Sequence, residues 1–113
     1  MTPVQDVETL RDRTAPIDMS AASFREMGHD LVDRIADWLQ RMPDGPVVRQ
    51  ETADVVRRAL DASRGLPEAG TDARTLLDDA TRLLFRHSLF NGHPRFFGYI
   101  TSSPAPIGAL GDL

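Results

Sequence analysis

Few side chains in this chain could do chemistry, and their spacing limits what that chemistry could be. Three histidines, His29, His87 and His93, stand in a sequence with no cysteine and no lysine. Without cysteine there is no thiolate ligand, thiol nucleophile or disulfide, and without lysine there is no ε-amine to form a Schiff base. His29 and Asp33 are four residues apart, close enough on a helix face to share a metal, although such pairs are common on any helix. His87 falls on an apolar stripe and is expected to be a hydrogen-bonded core histidine. His93 precedes Pro94, which disfavours helix at His93 and pushes it toward extended backbone, so the pair reads as a structural turn. Thr101, Ser102 and Ser103 precede a helix start and could form an anion-binding corner where free N–H groups meet the positive end of a helix dipole. The simpler reading of Ser103 is a helix cap. Ser102, His93 and Asp112 can be written as a hydrolytic triad, but these serines lack the strand-turn-helix elbow such a nucleophile needs.

The elements that must position these groups follow from the apolar period. Ser20 is a candidate N-cap, after which Phe24, Met27, Leu31, Ile35, Trp38 and Leu39 recur at spacings of three or four, predicting an amphipathic helix to about Arg41. Asp30 with Arg34, and Asp37 with Arg41, are i,i+4 acid-to-base pairs expected on its solvated face. Gly28 inside that helix suggests either close approach of another backbone or an unconstrained exposed position. Pro43, Asp44, Gly45 and Pro46 predict a turn into an extended Val47-Val48. Thr52 can cap a short helix through about Ala62, with Val55, Val56, Ala59 and Leu60 inward and Arg57 and Arg58 outward. Pro67 marks a loop over 65–70. Thr71 then opens a third helix whose stripe is Ala73, Leu76, Leu77, Ala80, Leu83, Leu84 and His87, ended by Asn91-Gly92. Arg95 to Tyr99 is short and aromatic-rich and predicts an extended strand or a strand-like connector. Ser103-Pro104 then predicts a cap and first turn, with Ile107, Leu110 and Leu113 on one face and no stop signal behind them. The expected class is therefore mainly α, with three amphipathic helices, a short extended segment and the start of a fourth helix.

Composition removes several function classes. The 113 residues carry a formal net charge of -4, and acids and arginines are interspersed, which leaves no basic stripe for nucleic acid or an anionic membrane. No apolar run approaches the roughly 20 residues a membrane span needs, and the N-terminus lacks a signal-peptide core. Zero cysteines suit a reducing compartment, so the cytoplasm is the expected location.

Two blocks carry a resemblance. The helix SFREMGHDLVDRIADWLQ at 23–40 and the segment HPRFFGYI at 93–100 resemble the N-terminal region of the group II pyridoxal-phosphate-dependent amino-acid decarboxylases, which include the aromatic amino-acid and glutamate enzymes. The resemblance runs from about Met19 to Leu113 and is weakest over 42–71. It implies that the chain is the N-terminal arm of a fold type I enzyme. Residues 1–18 would be a loosely ordered lead-in, 19–92 a helical dimerisation arm, and 93–113 the start of the cofactor domain. It implies homodimer contacts, an amino-acid substrate, and substrate-binding roles for Tyr99, Thr101 and Ser102, with Ile100 adding apolar wall. It implies pyridoxal 5'-phosphate in the whole protein, with the Schiff-base lysine and ring-contacting residues outside this chain, so that the arm alone is inactive. Tyr99 stands where glutamate decarboxylases carry an amide, and the Pro-Thr of aromatic decarboxylases is missing near the corner. A bulky apolar amino acid is preferred over glutamate as substrate.

Two rival readings remain at this stage. A free-standing helical interaction module would account for the absence of lysine. A small helical DNA-binding domain would account for the helix-loop-helix after Thr52, but the charge opposes it.

Overall fold

In the computed structural model the described residues are 11–15, 17–98 and 105–112. They form four α-helices in chain order: α1 (Ala21–Arg41), α2 (Ala53–Ala59), α3 (Ala73–His87) and α4 (Pro106–Gly111), with a 3-10 turn at Met42–Asp44 directly after α1. No strand occurs among the described residues. The mainly helical expectation holds, and of the two readings of 95–99 the connector is the one found over the described residues 95–98. Arg95 lies in a turn closed by the Phe96 N–H donating to the His93 carbonyl at 2.9 Å, and residues 96–98 have no ladder partner. An isolated extended segment has no strand to receive its backbone groups, so aromatic content alone does not make a sheet. Tyr99 lies outside the described residues.

The cap of α1 is the expected one. Ser20 is extended, and its hydroxyl accepts from the Ser23 N–H at 3.0 Å, satisfying a donor that the helix cannot. Among the described residues, nothing beyond the backbone of its own helix lies within 4 Å of where a Cβ on Gly28 would stand, so no described backbone from elsewhere comes close there.

The second helix ends sooner than expected, at Ala59 rather than near Ala62. Asp61 takes a left-handed φ of 49°, the Asp61 N–H donates to the Arg58 carbonyl and the Ala62 N–H to the Arg57 carbonyl. Those two bonds make a Schellman close with aspartate in the place usually held by glycine. Leu60 accordingly points outward, while Val55, Val56 and Ala59 are half-buried.

The third helix is capped by Asp72 rather than Thr71. Its carboxylate accepts from the Thr75 N–H at 3.0 Å, and this bond holds the Asp72 carboxyl below the usual carboxylate range. The helix closes at His87, with Ser88 extended, so Asn91-Gly92 sits in the following turn instead of capping it. The inward stripe is also rotated from the expected one. Leu77, Leu83 and His87 are half-buried, but Leu76 and Leu84 face solvent, and the buried residue is Thr81.

The fourth helix begins at Pro106 behind Ala105, a step later than the Ser103-Pro104 pair predicted. Ser103 and Pro104 lie outside the described residues, as does Leu113, while Ile107 and Leu110 are exposed.

The long helices α1 and α3 run parallel, as three links in increasing register show. Arg74 meets Glu26 at 2.6 Å, Arg34 meets Asp78 at 2.6 Å, and the ring of Trp38 stacks on Phe85 with centroids 5.2 Å apart. Arg34 is the hinge of this pairing. It binds Asp30 on its own helix at 2.7 Å, reaches Asp78, and donates to the Thr81 hydroxyl at 3.3 Å. Asp30 first and Asp78 second hold its guanidinium protonated beyond its ordinary range. The Asp30 and Arg34 pair is thus a helix-helix clasp rather than part of a solvated face. The Asp37 and Arg41 pair does not form, because Arg41 Nε donates to the Asp37 backbone carbonyl at 3.1 Å.

Little surface is closed by this pairing. No apolar side chain among the described residues is buried. The accessible surface is 10056 Å², against about 6,200 Å² for a compact monomer of this mass. The radius of gyration is 20.2 Å, where a compact domain of this length would have about 13 Å.

Candidate functional site

The segment that leads toward 99–102 is anchored at one carbonyl. His93 is 3% exposed, the most buried of the described residues. Its Nδ1 accepts from the Arg95 N–H at 3.0 Å, which assigns the ring hydrogen to Nε2, and Nε2 donates to the Gly45 carbonyl at 3.1 Å. Arg95 sends its own Nη2 to the same carbonyl at 2.7 Å. A second tie lies alongside, the Phe90 N–H donating to the Val47 carbonyl at 3.0 Å. Gly45 accepts both side chains because the 3-10 turn ends there and leaves its carbonyl outside any helical ladder. The expected structural turn at His93 is therefore a clamp between two segments far apart in sequence.

Beyond the clamp the aromatic pair splits. Phe96 is half-buried, and its ring lies over Gly98, where an added Cβ would come within 3.0 Å of it. Phe97 is 92% exposed. Any residue larger than glycine at 98 has to displace the Phe96 ring.

The substrate-binding candidates Tyr99, Thr101 and Ser102 lie outside the described residues, as does the Thr101-Ser102-Ser103 corner. Asp112, offered as a triad member, is exposed at the end of α4. His29 is exposed, and no group of three or more His, Asp or Glu side chains among the described residues is placed to hold a metal. His87 is half-buried as expected and bonds through Nδ1 to Glu51 at 2.5 Å, tying the end of α3 to the approach of α2. The Gly45 carbonyl and Arg95 were not marked by the sequence. The one signal was that Arg95 stands two residues after a histidine in a turn.

Pyridoxal phosphate, which the resemblance implies, is held through a lysine imine, and this chain contains no lysine. The residues present do not fit the cofactor by themselves.

The sequence relatives are group II amino-acid decarboxylases, whose N-terminal region the chain matches. It is 34% identical over 116 aligned positions to a tyrosine decarboxylase of Oryza sativa subsp. japonica, covering 96% of this chain and 21% of that protein. It is 28% identical over 97 residues to an aromatic-L-amino-acid decarboxylase of Bacillus atrophaeus, covering 86% of this chain and 20% of that protein. A phenylacetaldehyde synthase of Arabidopsis thaliana is 30% identical over 95 residues, covering 84% of this chain and 19% of that protein. The chain thus spans about a fifth of the length of these relatives. No family model matches it. No solved structure matches it. No helix among the described residues is long and apolar enough to cross a membrane.

Proposed function

We propose that this chain is the N-terminal arm of a pyridoxal-phosphate-dependent decarboxylase acting on an aromatic or other bulky apolar amino acid. Within that protein, located in the cytoplasm, residues 19–92 supply contacts to a second subunit, and residues 93–113 begin the cofactor domain. Tyr99 and Ile100 supply apolar wall to the substrate pocket, and the hydroxyls of Thr101 and Ser102 hydrogen-bond the substrate. The cofactor supplies the electron sink for decarboxylation and is held by residues outside this chain. The observation that carries the reading is the match to decarboxylases along nearly the whole chain. The unclosed apolar faces of α1 and α3 support it, since an arm packed on more protein needs such faces.

His93 and Arg95 have a defined task in this reading. Bound to one carbonyl, they set the direction in which the chain leaves toward Tyr99. They touch no reacting atom and act as positioning residues.

The test is to express the whole open reading frame that contains this chain and measure labelled CO2 released from carboxyl-labelled L-tyrosine and L-glutamate. Release from tyrosine, with KM raised roughly tenfold or more by Tyr99→Ala, is the expected result. Release from glutamate alone would overturn the substrate assignment. A frame that ends with this chain and gives no release would leave the second reading, a helical interaction module without catalysis, which the absence of lysine favours.

A further inference from the structure

The C-terminal ends of the parallel helices α1 and α3 enclose a cleft of about 400 Å³, and four of the chain's 13 arginines line it. Arg41 comes from α1, Arg49 from the extended connection, and Arg82 and Arg86 from α3, with Trp38 and Phe85 as the apolar wall. No aspartate or glutamate lines it. This charge is gathered in a chain whose net charge is -4.

Helix-end electrostatics account for part of the cluster. Arg41 and Arg86 stand in the last turns of their helices, where a cation offsets the exposed carbonyl ends. That does not account for Arg49, which belongs to no helix, or for Arg82, which lies mid-helix. Arg82 is neutralised by Asp79 at 2.9 Å. Arg41, Arg49 and Arg86 have no carboxylate within ion-pairing distance among the described residues, so three positive charges share one cleft uncompensated. Like charges so gathered repel, and the low-dielectric aromatic wall strengthens the field they create.

We propose that this cleft binds a small molecule carrying a diphosphate group. Guanidinium forks match phosphate oxygens in pairs, and a terminal diphosphate group carries about three negative charges at neutral pH, the number the three free arginines balance. The volume suits a small ligand. The proposal does not depend on the decarboxylase reading: none of the four arginines belongs to the substrate wall, and the cleft meets the His93 clamp only at Gly45.

The chain carries its own reporter, since its single tryptophan, Trp38, lines the cleft. The experiment titrates the full chain with inorganic pyrophosphate, followed by Trp38 fluorescence and, independently, by equilibrium dialysis of labelled pyrophosphate. Inorganic phosphate and citrate serve as comparison ligands. Saturable binding of pyrophosphate is expected, tighter than either comparison ligand and weakened by salt. Arg49→Gln, outside any helix, is expected to weaken it roughly tenfold, and adding Arg86→Gln further still. Arg57→Gln with Arg58→Gln on α2 is expected to leave it unchanged. Absence of saturable binding by dialysis overturns the proposal, as does equal weakening by the α2 variants. Phosphate or citrate bound as tightly as pyrophosphate overturns the assignment of a diphosphate.

Discussion

Replacing Trp38 with alanine is expected to separate the two long helices. Trp38 stacks on Phe85 with planes 16° from parallel, and it meets Phe90 edge-on with centroids 4.9 Å apart. The polar links between α1 and α3 are half-exposed or exposed: Arg74 with Glu26, and Arg34 with Asp78 and Thr81. Exposed ion pairs contribute at most about 1 kcal/mol each. A Trp→Ala change costs about 3 to 5 kcal/mol in a closed core, and the half-buried setting of Trp38 places it near the lower end, about 3 kcal/mol. With no fully buried apolar side chain among the described residues to compensate, that loss is larger than the polar links together contribute. Thermal melts followed by circular dichroism should show the cooperative transition lost or moved down steeply in Trp38→Ala, and largely kept in Trp38→Phe. A melt unchanged by the alanine substitution would mean that the helices are held by something other than this aromatic contact.

The second large effect falls on His93. Its replacement by alanine removes the donor to Gly45 and the acceptor of the Arg95 N–H, both in part-buried bonds, costing about 1 to 2 kcal/mol locally. Arg95 Nη2 still holds Gly45, so the helices should survive while the turn over 93–96 opens. Cleavage by chymotrypsin after Phe96 and Phe97 is the readout, and it should accelerate by roughly tenfold or more if the turn governs access. Asparagine separates the two bonds of the clamp. Its side chain can accept from the N–H two residues on, as in an Asx turn, but is too short to replace the long reach to Gly45. His93→Asn should therefore fall between the other two chains. Cleavage at the wild-type rate in His93→Ala would show that the clamp does not order this segment.

How much of this was legible beforehand depended on whether the signal was local. The first helix was read from Ser20 to Arg41 because its cap and its apolar period adjoin, and both are carried by neighbouring residues. The close of α2 was missed because aspartate rather than glycine takes the left-handed position, which side-chain type alone does not announce. The end of α3 was placed late because Asn91-Gly92 has the composition of a cap but serves a turn. Its inward face was rotated because Arg34, 47 residues away from Thr81, draws that hydroxyl into the contact. The clamp was half legible: His93-Pro94 marked a turn, yet its acceptor at Gly45 is 48 residues distant. The arginine cleft was invisible for the same reason, since only the parallel pairing of α1 and α3 brings Arg41 and Arg49 to Arg82 and Arg86.

The proposed role of the arm requires that its apolar faces be completed by further protein rather than by the arm itself. Small-angle scattering of the 113-residue chain over a dilution series tests that most directly. The account predicts a radius of gyration near 20.2 Å for the isolated chain, or a particle of at least twice the chain mass. A monodisperse monomer with a radius near 13 Å, the value for a compact domain of this length, would contradict it.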